Sequence, residues 1–269
     1  MDHSLEYYGS YGRGLEMKSE KIKRLECIYC KMVAIHTVRF ETYVCDDCYK
    51  KNQIEKKELL ERMAEQRGMI MQEYSTTFYE CVQDWPKEIQ EDIYAVYAYL
   101  RAMDEGVEND NWHPNFSEIC ENFNIIADKY QFEEEWVKDF DKVMLGDLLR
   151  KKHTVVSMLE YCKGSAEVVG LMVSRILGCS TEGDPYARCL GRAYQIINFI
   201  RDWDEDMERG YQYIGPNTDI YYQLFFEELT EAMKGIQYIP EELRGPILKA
   251  NEKYLEVANE TRILQGDVA

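Results

Sequence analysis

The sequence predicts an all-α bundle of helices around a central cavity, preceded by a small zinc-ribbon-like module. Three observations carry that reading. From Asn52 onward, apolar residues recur at threes and fours among charges, which is the helical period. Nothing after Val44 has the composition of a sheet. Residues 27–48 hold four cysteines in two CxxC pairs, within a stretch too short to bury a core of its own.

The division follows from composition. Residues 1–24, rich in Tyr, Gly and Ser with few aliphatics, read as a flexible tail. Residues 25–50 are short, Cys-rich and β-prone, at Met32 to Phe40 and Thr42 to Val44. Residues 51–269 form the helical domain. Within it Ile54, Leu59, Leu60, Met63 and Ile70 mark a connecting or first core helix. Pro86 opens a helix through about Met103, with Glu88, Glu91 and Asp92 near its positive end. Further helices are expected over 116–130, 133–150, 153–178, 184–208, 219–234 and 240–264, parted by turn signals such as Gly183-Asp184-Pro185 and Gly215-Pro216-Asn217.

Charge narrows the partners. The net charge is −18, yet residues 1–67 hold 13 basic and 12 acidic residues, so the remainder carries −19. Such a surface argues against nucleic acid, whose phosphates are held by clustered Lys and Arg. An anionic ligand would need metal ions between itself and the protein. No apolar run approaches the ~18 residues of a membrane span, and the start lacks the basic and apolar regions of a signal peptide, so a cytoplasmic location is expected. Nine cysteines in a reducing compartment then point to thiols and metal ligation rather than disulfides.

Cys27-Ile-Tyr-Cys30 and Cys45-Asp-Asp-Cys48, separated by fourteen residues, match two zinc knuckles. Four thiolates around one tetrahedral Zn²⁺ make a closed structural site whose ligation energy replaces the missing core. The alternative is unconnected thiols or a redox pair. His36, in the connecting stretch, reads as a surface side chain. Balanced charge and Asp46-Asp47 favour a protein partner or self-association as the module's contact.

Tyr94, Tyr97, Arg101, Asp104 and Glu108 follow at steps of three and four, forming one stripe if the helix continues. Gln195, Asn198, Asp202 and Asp206 repeat the idea. Alone, residues 104–110 read as a frayed, solvated helix end, with Gly106 costing about 1 kcal/mol of helix propensity. The second stripe lies in an apolar run, Tyr194 to Trp203, where buried Gln, Asn and Asp lack partners unless a ligand or metal satisfies them. Mg²⁺ takes hard oxygens, using one or two carboxylates together with substrate phosphates. Two carboxylate stripes and apolar walls are what ionising an allylic diphosphate requires.

The blocks that carry these stripes resemble the squalene/phytoene synthase family. Ser75-Thr-Thr-Phe78, Pro86, Tyr94-Ala-Val-Tyr97 and Arg101-Ala-Met-Asp104-Glu105-Gly-Val-Glu108 resemble its opening block. Tyr161-Cys162-Lys-Gly-Ser-Ala166-Glu-Val-Val-Gly170-Leu-Met172 resembles its Tyr-Cys signature. Leu190 to Asp206 resembles its second aspartate motif, and Arg209-Gly210-Tyr211-Gln-Tyr213 its trailing segment. The blocks stand in family order over about residues 70–217.

The resemblance implies an isoprenoid-synthase-type bundle that joins two allylic prenyl diphosphates, C15 or C20, head to head. One substrate ionises and alkylates the other to a cyclopropylcarbinyl diphosphate; a second ionisation rearranges it. By the same resemblance Asp104, Glu108, Asp202 and Asp206 bind two or three Mg²⁺ with the substrate diphosphate, and Arg101 and Arg201 hold its oxygens. Tyr97, Gln195, Asn198 and Tyr213 line the site, with Phe78 and Tyr161 as apolar wall or ordinary core. A reductive ending needs NADPH; the expected phytoene-like or dehydrosqualene-like ending does not. Substrates arrive as soluble diphosphates, with weak peripheral membrane contact.

Several positions depart from the family pattern. Glu108 replaces Asp, Glu167 a glycine, Lys152-His153 an Arg-Tyr pair, and Tyr211 the second arginine of the trailing segment; Asp147 keeps an acid. Only 63 residues follow Asp206. Two other functions therefore stand beside the first: a terpene synthase ionising a single diphosphate on the same fold, and a catalytically silent scaffold whose zinc module binds a partner.

Overall fold

The structure is a computed structural model that describes residues 36–38, 42–44, 65–109, 113–147 and 151–264. The chain divides into two compact units, Met1–Glu61 and Arg62–Ala269, which are taken separately. In the first, β1 (His36–Val38) and β2 (Thr42–Val44) pair antiparallel, His36 opposite Val44 and Val38 opposite Thr42. Thr37, Val38, Thr42 and Val44 are β-branched, the side chains that fit a pleated surface. This hairpin falls between the two CxxC pairs. Cys27, Cys30, Cys45 and Cys48 themselves lie outside the described residues.

The second unit is helical throughout its described length. Its elements are α1 (described over 65–74), α2 (Thr76–Val82), α3 (Lys87–Asn109), α4 (Phe116–Tyr130), α5 (Glu134–Asp147) and α6 (Val155–Cys162). After these come α7 (Val168–Ile176), α8 (Asp184–Arg201), α9 (Trp203–Glu208), α10 (Asp219–Met233) and α11 (Arg244–Leu264). The only β pairing described here is an isolated bridge, Lys152 to Gln212. None of the described helices is long and apolar enough to cross a membrane.

Local chemistry explains the ends. The Pro86 carbonyl accepts from Gln90 N–H as α3 begins, and the ring leaves no donor to satisfy there. Thr154 and Ser157 form a reciprocal capping box at the start of α6. Gln131 ends α4 in the left-handed region (φ 54°).

Three expected helices differ in outline. α3 continues through Gly106 to Asn109, so its stripe is unbroken. The stretch 153–178 is two helices joined by a π-turn, Lys163–Glu167. The stretch 184–208 breaks at Asp202, which closes α8 and opens α9. The i to i−4 bond from Asp206 N to Asp202 O survives at 2.9 Å, so the two aspartates remain one turn apart.

α8 is the central helix, with Ala193, Ile196, Ile197, Phe199 and Ile200 buried. It packs against α7, α10 and α11. Two glycines set the α7–α8 distance: a Cβ on Gly191 would sit 2.2 Å from the Ala166 carbonyl oxygen, and one on Gly170 2.2 Å from that of Ala187. Glu167, where the family pattern has glycine, is buried and paired to Arg188 (3.3 Å) and Arg192 (2.6 Å). Arg192 in turn reaches Glu228 on α10 at 2.7 Å. An ionic ladder therefore ties the π-turn, α8 and α10 together.

Candidate active site

A cavity of about 270 Å³ runs between α3, α7 and α8 and is closed by α2 and α11. One face of α8 lines it from end to end: Tyr186, Ala187, Leu190, Gly191, Tyr194, Gln195 and Asn198, at alternating steps of one and three. α3 contributes Val96, Tyr97 and Leu100, and α2 contributes Phe78. Of the residues expected at the site, Tyr97, Gln195, Asn198 and Phe78 thus share one cavity.

The polar end of the cavity is where the two stripes finish. Tyr97 is half-buried, bonded to Ser75, and within electrostatic reach of Arg101, Asp104 and Tyr254; desolvation pushes its phenol well above the ordinary tyrosine range. Tyr254, on α11, is buried against Tyr194 with ring centroids 3.9 Å apart. Burial pushes its phenol up to about 12, while Arg201 and a hydrogen bond from the Asn198 amide pull the other way, and Asp202 acts on the same hydroxyl. The Tyr97–Tyr254 pair therefore connects the acidic end of α3 with that of α8. The Asn198 carbonyl oxygen is buried there with no hydrogen-bond partner, which costs about 1–3 kcal/mol for a group of this kind.

Each motif holds its own arginine. Arg101 donates to Asp104 at 2.5 Å and also to Glu105, lies 4.0 Å from the Tyr74 ring centroid, and keeps its Nε buried without a partner. Arg201 grips Asp202 with two bonds of 2.6 Å, a fork that raises its pKa against the cost of burial. The side chain of Glu108 lies outside the described residues.

Tyr161 and Tyr213 do not line the cavity. They stack with His153 and Phe199 in a buried aromatic cluster beside α8, the Phe199–Tyr213 centroids 4.5 Å apart. Backbone bonds hold residues 151–153 to Gln212, which brings the Lys151 ammonium 4.9 Å from the Tyr211 ring centroid. Tyr254, Ser75 and Glu105 were not singled out from sequence. Glu105 adjoins a recognised aspartate, but Tyr254 sits in the stripe Ile247, Ala250, Tyr254, Ala258, which reads as ordinary core and carries no local signal.

Among the described residues, no three His, Cys, Asp or Glu side chains gather around a point where they could hold a metal. The donors present are carboxylates at the ends of two helices and one orphaned amide oxygen. This set fits Mg²⁺, whose shell is completed by water and substrate phosphates.

The profile of the squalene/phytoene synthase family matches residues 71–222. A phytoene synthase of Thermus thermophilus is 28% identical over 170 residues, covering 54% of this chain and 56% of the relative. A 4,4'-diapophytoene synthase of Staphylococcus haemolyticus is 26% identical over 165 residues, covering 52% and 58%. The chain thus spans less than two thirds of the length of these relatives. Among solved structures, a squalene synthase of Alicyclobacillus acidocaldarius superposes with TM-score 0.62 at 15% identity, covering 76% of this chain and 95% of that one. A dehydrosqualene synthase in complex with ligand gives TM-score 0.59 at 17% identity, covering 78% and 99%. The family profile covers more than half of the sequence, and the fold is shared: the chain belongs to the squalene/phytoene synthase family.

Proposed function

We propose that the chain is a magnesium-dependent prenyltransferase that joins two allylic prenyl diphosphates head to head and releases diphosphate, with an unreduced product that needs no NADPH. One observation carries this: Tyr97 and Asn198 line one apolar cavity, and beyond each on its own helix stands an arginine-held carboxylate, Asp104 with Arg101 on α3 and Asp202 with Arg201 after α8. The synthases among its relatives support the same reaction class.

In the first step the C1–O bond of one substrate breaks and both electrons leave on the diphosphate oxygen. The resulting allylic cation is attacked by the C2–C3 double bond of the second substrate, and loss of a proton closes a cyclopropane ring. Departure of the second diphosphate then starts the rearrangement to a linear allylic cation, which loses a proton to give the neutral, unreduced product. Asp104, Glu108, Asp202 and Asp206 would hold magnesium, which when bound would neutralise charge on the departing diphosphate.

The remaining work falls to the chain. Arg101 and Arg201, paired here with Asp104 and Asp202, would donate to diphosphate oxygens once those carboxylates turn to a cation, so no charge would be left unpaired. Tyr97 and Tyr254 stay neutral, because burial opposes their ionisation, and donate rather than repel. The orphaned Asn198 oxygen, an acceptor, would face the cation or its water rather than the anion, while the Gln195 amide can donate to the diphosphate. Phe78 and the apolar faces of α3, α7 and α8 keep water from the cation. Tyr161 and Tyr213 support α8 from behind. In the first unit, Cys27, Cys30, Cys45 and Cys48 hold one structural Zn²⁺, which stoichiometric zinc in metal analysis of the purified protein would support.

Incubation with C15 and C20 diphosphates, with and without Mg²⁺ and NADPH, followed by mass spectrometry tests the assignment. A Mg²⁺-dependent hydrocarbon of twice the substrate length is expected in the absence of NADPH. No product and no diphosphate release would reject it, and a hydrocarbon of single substrate length would replace it with a terpene synthase.

A further inference from the structure

The end of the cavity opposite the acidic motifs is closed by two tyrosines. Tyr186, in the first turn of α8, and Tyr238, ending the 3₁₀ turn Lys234–Tyr238, both line the cavity and stack with centroids 5.6 Å apart and planes 18° from parallel. Their seats are reciprocal. A Cβ on Gly235, three residues before Tyr238, would sit 2.2 Å from the Tyr186 Cβ. A Cβ on Gly183, three before Tyr186, would sit 3.1 Å from the Tyr238 Cβ. The root of each ring is packed on the glycine that precedes the other, an approach that only a residue without a Cβ allows. Between this stack and Gln195 the α8 face that lines the cavity carries Ala187, Leu190, Gly191 and Tyr194, and α7 lines the same cavity with Val169, Gly170 and Val173.

We propose that the Tyr186–Tyr238 stack is the floor that limits chain length, and that it selects farnesyl-length (C15) over geranylgeranyl-length (C20) diphosphate. The inference rests on the reading of the polar end as the diphosphate site. α8 serves as the ruler: twelve residues separate Tyr186 from Asn198, or about 18 Å at ~1.5 Å per residue. A van der Waals separation of about 4 Å from the floor leaves roughly 14 Å for an extended tail. An extended chain advances about 1.2 Å per bond, as a polypeptide does over its three bonds per residue. The eleven bonds from C1 of a farnesyl chain therefore need roughly 13 Å, and the fifteen of geranylgeranyl roughly 18 Å. The first fits, and the second meets the tyrosine rings.

The test compares the two diphosphates, as substrates and as non-hydrolysable thiolodiphosphate analogues, in the presence of Mg²⁺. Wild type is expected to favour C15 by about tenfold or more, in both kcat/KM and analogue affinity, the range in which a steric wall discriminates. Tyr186→Ala and Tyr238→Ala should each move that ratio toward C20 by about tenfold, whereas Tyr186→Phe and Tyr238→Phe keep it, since ring volume is the barrier. Should an alanine variant fail to fold, Tyr186→Leu or Tyr238→Leu shortens the side chain with less loss of packing and should move the ratio in the same direction. Equal use of C15 and C20 by wild type, or a ratio indifferent to the shortened side chains, overturns the inference while leaving the diphosphate site intact. Neither product nor analogue binding at either length instead overturns the reading of the site itself.

Discussion

The two acidic motifs do the same thing on different backbones. On α3 the stripe rides one continuous helix, and Arg101 is shared between Asp104 and Glu105. At the second motif the helix breaks at Asp202, and Arg201 commits both arms of its fork to that one carboxylate. Behind α8, but not α3, stands the Glu167–Arg192–Glu228 ladder. Both helices are anchored by charge, α3 through Glu88 and Asp92 to Lys129 of α4 (2.8 and 2.7 Å) and α8 through Glu167; what differs is the backbone at the motif, continuous in one and broken at Asp202 in the other.

The sharpest way to break that comparison is to remove one carboxylate from each side. Asp104→Ala and Asp202→Ala are each expected to cut kcat by about a thousandfold, roughly 4 kcal/mol of transition-state stabilisation. Steady-state kinetics with saturating Mg²⁺ checks it, and a variant that keeps most of its activity would show that one motif is dispensable. Next in size is Glu167→Ala. Leaving Arg192 with one partner in a mostly buried site should cost about 3 kcal/mol, or a melting temperature lower by roughly 6–12 °C at ~2–4 °C per kcal/mol. An unchanged melting curve would mean the ladder does not hold α8.

Asn198→Leu sharpens the comparison from within. Removing the orphaned acceptor gains about 1 kcal/mol and losing the amide bond to Tyr254 costs about as much, so the ligand-free stability should change by less than about 1 kcal/mol. Affinity for inorganic diphosphate should fall about tenfold with Mg²⁺ and not without it, because the amide oxygen can serve the cation or its water but not the anion, a contact worth roughly 1.5 kcal/mol. Calorimetric melts and titration separate the two effects. Smallest is Tyr254→Phe in alkali. A phenol whose folded pKa is raised to about 12, against an ordinary ~10, contributes stability that is complete below pH ~10 and lost as pH rises through ~12. The phenylalanine variant should therefore melt with a shallower decline over that window; identical slopes would show that Tyr254 does not titrate with unfolding.

Much of the second unit was legible from local pattern. α4 occupies the span expected for it, because a short apolar stripe bounded by turn residues leaves little choice. The break at Asp202 and the π-turn at Lys163–Glu167 were not legible. Gly164 stands in the π-turn, but a lone glycine is often tolerated inside a helix, and its reason here, a Cβ that would sit 2.5 Å from the Asp139 carbonyl oxygen of α5, is a property of the packing. Tyr161 and Tyr213 show the converse: their place in the motifs was plain, but whether an aromatic faces a cavity or a neighbouring ring depends on helix rotation.

What sequence alone determined is which residues carry charge and in what order, since carboxylate spacing on a helix is set by 3.6 residues per turn and needs no partner to be read. Tertiary structure decided everything that depends on distance across the fold. Tyr254 joins the two motifs although more than fifty residues separate it from Asp202. Glu167 became an anchor because Arg188 and Arg192 come to meet it. Tyr186 and Tyr238 close the cavity because two glycines far apart in sequence let their rings come together. Burial and close approach are properties of pairs of segments, and no single segment states them in advance.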